Sequence, residues 1–191
     1  MLSNDITQET LFPVDKFIKK PEIKVIPFFI QKKYRSFLYK SFQNRTHVYV
    51  KHRVQTIYIS PSSSFGKYLA LLAVKSKVPV RIKGCNLFFS VNELGYQTGI
   101  YKKISGKYSL LEIPSELAKD LTNYIHDLFI TTMISYVDGF LDSSGDITPG
   151  LISFMDKYEL WDDWNKESLY RQYYRDKDMG FGNRIFLPKK M

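Results

Sequence analysis

The chain has 191 residues and a mass of 22.4 kDa, with 44% hydrophobic, 25% charged and 16% aromatic residues and a net charge of +9. That suits one medium domain, or two small ones sharing a core, with too many apolar residues and too little charge for a disordered chain. A lone Cys85 excludes an internal disulfide and a cysteine zinc site, the polar start MLSNDITQET is no secretory signal, and no apolar run nears the roughly 18 residues of a membrane span.

Residues 1–22 read as an irregular arm punctuated by Pro13 and Pro21. The apolar run Ile23 to Ile30, broken by Pro27, suggests an edge strand or bend. Over 31–43, Tyr34, Phe37, Leu38 and Phe42 recur at spacings of three and four, which predicts a short basic amphipathic helix. HVYV (47–50) and VQTIYI (54–59) are rich in β-branched and aromatic residues and predict strands. Between them Lys51, His52 and Arg53 form a very tight basic turn or continue one longer strand.

SPSSSFGK (60–67) predicts a turn and a serine-capped helix through Val74. VPVRIK (78–83) and NLFFSV (86–91) then look like strands, and the glycines of 92–111 suit a hairpin turning near Ser105 and Gly106. From Pro114-Ser115-Glu116, with Ser115 as cap, an apolar residue recurs every fourth position from Leu117 to Leu141, the mark of a long helix that Gly145 ends. Thr148-Pro149 opens a second helix through Tyr158, and 165–176 predicts a third, capped by Asp163 or Asn165. The expected fold class is α+β: a basic strand-rich N-terminal part packed on a C-terminal bundle of about three helices. The expected divisions are an arm (1–22), a basic α+β part (23–111), an acidic helical part (112–178) and a tail (179–191).

Charge is the most lopsided feature. Residues 1–107 hold 19 Lys and Arg against 5 Asp and Glu, whereas 108–191 hold 9 against 14. The 70 positions between Glu22 and Glu93 contain 13 cations and no carboxylate. A solvated surface ordinarily mixes both signs, because a field of one sign repels itself. Within this span cations alternate with aromatics, and cations neutralise phosphates while aromatic faces stack on bases. The expected contacts are Lys32, Lys33, Arg35, Lys40, Arg45, Lys51, Arg53 and Lys67 to phosphates and Tyr34, Tyr39 and Tyr49 to bases.

The other constellations are weaker. SPSSSFGK lacks the first glycine of a nucleotide-hydrolysing phosphate loop, and Tyr68 replaces its magnesium-binding hydroxyl. Asp138, Asp142 and Asp146 do not follow calcium-loop spacing, and His47, His52 and His126 form no metal motif. No GxSxG elbow is present. Non-enzymatic binding of DNA or RNA with weak sequence preference is therefore the expected function, with no cofactor, no metal and no membrane partner, in the cytoplasm or in a virion. The alternative is a structural or assembly protein, such as one of a bacteriophage virion, associating head to tail as a homo-oligomer through its basic and acidic halves.

Overall fold

The computed structural model describes residues 23–92 and 110–178, so the arm, the expected 92–111 hairpin (all but its ends) and the tail lie outside the described residues. The protein is α+β. In chain order its described elements are β1 (Ile23–Phe28), α1 (Lys32–Ser41), β2 (Asn44–Tyr49), β3 (His52–Ile59), α2 (Ser64–Leu72), β4 (Val74–Ser76), β5 (Leu87–Asn92), β6 (Leu110–Glu112), α3 (Ser115–Ser144), α4 (Ile147–Tyr158) and α5 (Lys166–Asp178). Four strands form a mixed sheet in the order β1-β5-β3-β2, and β4 pairs with β6 in a second, small sheet. β1 is antiparallel to β5, β5 is parallel to β3, and β3 is antiparallel to β2.

Side chains alternate across a strand, so each strand supplies two different faces. Ile26 and Phe28 of β1, Ile57 and Ile59 of β3, and Leu87, Phe89 and Val91 of β5 face the main core. There they meet Tyr34, Phe37 and Leu38 of α1, Phe65 and Leu69 of α2, and the buried stripe of α3 from Leu121 to Val137. One core cluster thus runs from β1 to Tyr173 of α5 and unites the basic and acidic parts. On the reverse face Val25, Tyr49, Val54 and Phe88 form a smaller cluster, with Ile82, Cys85 and Leu110 packed against it. Thr56 and Ser90 are buried on that face too, but they are satisfied: the Thr56 hydroxyl donates to Ser90 Oγ at 3.0 Å and Ser90 donates to the Ile57 carbonyl.

Three expectations need correction. VPVRIK forms no strand: Pro79 interrupts it, Ser76 Oγ accepts the Val78 N–H, Tyr49 Oη accepts the Val80 N–H, and a 3-10 turn follows at Ile82–Gly84. The strand of this region comes earlier, at β4, so α2 ends at Leu72 and Val74 is extended instead of helical. α3 has Pro114 at its N-cap, and the Ser115 hydroxyl bonds Glu116 instead of capping the helix.

Other caps form as the residue types dictate. Ser63 Oγ accepts the Gly66 N–H, Asp146 the Thr148 N–H and Asn165 the Glu167 N–H. Gly145 closes α3 at φ 70°, the left-handed conformation glycine adopts without steric cost. Gly66 answers a different need, since α2 starts so close to the preceding turn that an added Cβ would lie 2.1 Å from the Ser60 carbonyl oxygen. Asp138 ties α3 to α5, accepting from Tyr173 Oη and from Lys177 Nζ at 2.8 Å. Burial pushes the Asp138 carboxyl up, but these two donors together hold it below the usual aspartate range.

Two outcomes follow from these contacts. Gly66→Ala is expected to destabilise the protein by about 2 kcal/mol or more in urea unfolding, because the clash is with backbone; a change under about 0.5 kcal/mol would contradict the close approach. A depressed carboxyl contributes stability above the ordinary aspartate pKa of about 4 and loses it as pH falls through the lower folded value. Asp138→Asn should therefore be less stable than the parent near neutrality, with the gap closing in acid.

Candidate nucleic-acid interface

The interface is built on a ribbon that leaves the sheet. β3 pairs with β5 only through Ile57, Tyr58 and Ile59, whereas β2 and β3 pair along their whole length from Asn44↔Ile57 to Tyr49↔His52. Among the described elements, residues His52 to Thr56 therefore have β2 as their only strand partner, and the β2–β3 hairpin runs about 17 Å past the ladder at about 3.4 Å per residue. Tyr39 of α1 sits at the point of departure, donating from Oη to the Gln55 carbonyl at 3.0 Å. Burial raises its pKa, against the pull of Arg35 and the Phe88 backbone amide. At the tip, Val50 takes φ 60°, a conformation β-branched residues seldom adopt and one that costs on the order of 1–3 kcal/mol.

Alternation gives this ribbon two different faces. The cross-strand pairs Arg45↔Thr56, His47↔Val54 and Tyr49↔His52 point to the reverse side. There Tyr49 is 3% exposed and Arg45 lies 4.3 Å from the centroid of the Tyr58 ring. Burial first, and the Arg45 charge second, lower the pKa of His47. A cleft of about 570 Å³ on this side is lined by Val50, His52, Arg81 and Lys83 among others.

The pairs Thr46↔Gln55 and Val48↔Arg53 point the other way, toward the side of α1, and all four side chains are exposed, Val48 by 66%. At the root of the ribbon, Arg35, Ser36, Tyr39, Lys40, Asn44, Gln55 and Glu159 line a second cleft of about 330 Å³. This open face thus runs from Arg35 and Tyr39, through Asn44 and Gln55, to Val48, Arg53 and the tip residue Lys51. Neither β2 nor β3 contributes a carboxylate to it.

Of the expected residues, the structure brings Arg35, Tyr39, Lys40, Lys51 and Arg53 onto this open side and separates the others. Tyr34 is not a stacking platform: it is 4% exposed, hydrogen-bonded from Oη to His126 Nδ1 at 2.8 Å, and packed edge-on against Phe129. Tyr49 is likewise a core residue. Both are buried because they occupy core-facing positions of their helix and strand. Lys33 lies over the Tyr34 and Trp164 rings. Lys67 stands on α2, beyond the far end of β3 from the tip.

Lys32, Ser36 and Lys40, four residues apart on α1, form a row that meets the acidic half. Lys32 Nζ is 3.0 Å from Asp163 Oδ1, Ser36 Oγ donates to Asp163 Oδ2 at 2.9 Å, and Lys40 pairs with Glu159. Part of the charge complementarity that head-to-tail assembly would use is therefore satisfied within the chain. The uncharged members of the open face, Asn44, Thr46, Val48 and Gln55, stand out neither by charge nor by ring content. Their signal in the sequence is the period of two along 44–55.

Among the described residues, no group of three or more His, Cys, Asp or Glu could hold a metal ion, and no helix is long and apolar enough to cross a membrane. No protein-family model, curated protein or solved structure matches the chain.

Tyr34 supplies the test of this division between core and surface. Burial, with the Asp127 charge adding to it, pushes its hydroxyl up to about 12. A hydroxyl whose pKa is raised on folding contributes stability that is full below the unfolded value near 10 and is lost as pH rises through 12. Tyr34→Phe is expected to cost about 0.5–1.5 kcal/mol near neutrality by removing the hydrogen bond. It should also show less alkaline destabilisation between pH 10 and 12 in urea unfolding.

Proposed function

We propose that the protein binds nucleic acid without catalysing a reaction, using the open face and tip of the β2–β3 ribbon. The observation that supports this reading most directly is the composition of that face: Arg35, Lys51 and Arg53 lie exposed along it, and no strand of the ribbon carries an acid. Glu159, at the root, is already paired with Lys40. Cations so arranged raise the local concentration of a polyanion and release its counterions on contact. The reverse cleft adds Arg81 and Lys83 beside the same tip, so a strand of phosphates passing the tip meets cations on both sides.

Phosphate contacts fix register and orientation and carry no sequence information by themselves. Lys32 and Lys33 are assigned to the contact between α1 and the acidic half, and not to the ligand. The check is the salt dependence of affinity for a labelled oligonucleotide. Lys51→Ala combined with Arg53→Ala should lower the slope of log K against log salt by about 2, at roughly 0.9 for each phosphate that is no longer neutralised on duplex DNA. Lys32→Ala should leave the slope as it is. Equal slopes for the parent and the double variant would remove the ribbon from the interface.

A further inference from the structure

Resting on the nucleic-acid reading, we propose that the ligand is duplex DNA and that the open ribbon face enters its major groove. The first support is shape. The ribbon is two strands about 4.8 Å apart, and from Val54 to the tip no third strand among the described residues lies beside β3 to widen it. The major groove of B-form DNA, about 12 Å wide, admits a two-stranded ribbon; the deep, narrow major groove of duplex RNA does not.

The second support is the chemistry of the side chains. Arg53, Gln55, Thr46 and Val48 stand in two adjacent cross-strand pairs on the open face. An arginine fork donates to guanine O6 and N7, a glutamine amide matches adenine N6 and N7, and the methyl groups of threonine and valine suit the thymine methyl. Around them Lys51 at the tip and Arg35 at the root are placed for phosphates on either side of the groove. The face thus pairs base-reading groups at its centre with cations at its ends.

The third support tells against single strands. A single-strand groove sets exposed rings in succession beside its cations. In residues 23–92 that succession is missing. Tyr34 and Tyr49 are buried, Tyr39 lies beside the Arg35 guanidinium, and Tyr58 lies beside that of Arg45. Among the phenylalanines and tyrosines of this stretch only Phe29, 65% exposed, is left mostly open, and it is outside the ribbon.

The test is fluorescence anisotropy of the full chain with duplex DNA, single-stranded DNA and duplex RNA of one sequence and length, at about 0.15 M salt. Duplex DNA should bind at least about tenfold more tightly than either of the others. Arg53→Ala with Gln55→Ala, both exposed positions, should retain the parent circular dichroism and weaken duplex binding by about tenfold or more, since a good bidentate base contact is worth that much. Selection from randomised duplexes should enrich a preferred site for the parent and none for the double variant. Equal or tighter binding of single strands or duplex RNA would overturn the groove proposal while leaving the polyanion reading in place. An unchanged double variant would also overturn it. Failure to bind any probe would overturn both.

Discussion

The burial of one side of α1 is the constraint on which the rest of the structure depends. Tyr34, Phe37 and Leu38 are inserted between the sheet and the helical part, where Phe37 meets Phe129 and Tyr158 and Tyr34 meets Phe129 and Trp164. Aromatic residues bury large areas with few rotatable bonds, so this cluster contributes heavily to the shared core. Once the stripe is buried, the orientation of the helix about its axis is settled. The row Lys32, Ser36, Lys40 then faces Asp163 and Glu159, while Arg35 and Tyr39 face the ribbon.

That orientation explains why a uniformly basic segment serves two purposes. Asp163 has a side chain only 3% exposed, and an acid so buried needs compensation. Lys32 and the Ser36 hydroxyl supply it. The partner lysine is 72% exposed and solvent screens the pair, so the contact positions the α4–α5 connection more than it stabilises the protein. On the hairpin Lys51 and Arg53, and on the other side of α1 Arg35, are left exposed.

The ribbon itself follows from where the β3–β5 ladder stops. The ladder ends at Ile57↔Phe89, inside β5, and Tyr39 hydrogen-bonds the Gln55 carbonyl just past that point, while the chain before β5 turns through Pro79 and the hydrogen bonds of 76–80 and supplies no strand beside the tip. Tyr49 anchors the loop on one side through the Val80 amide, so the hairpin is braced on its reverse face and open on the other. The strained Val50 sits at the tip of this braced hairpin. Such strain persists only where the surroundings over-determine the backbone.

Local pattern alone determined much of the architecture. The fourfold apolar recurrence of α3, a serine cap for α2, a cap for α5 at Asp163 or Asn165, the terminating Gly145 and the β-branched runs of β2, β3 and β5 are short-range features, and short-range physics was enough to read them. The absence of acid from 23–92 was equally plain in the sequence. Which cation faces which partner was not, because Lys32 and Arg35 differ by three positions on one helix and only its packing sends one to Asp163 and the other to the ribbon. Tyr34 and Tyr49 looked like Tyr39 for the same reason: a tyrosine among lysines is core or surface according to the face it occupies, and faces are set by long-range packing. VPVRIK had strand composition but no strand partner, since pairing is a tertiary event that its proline and the neighbouring hydroxyls forestall.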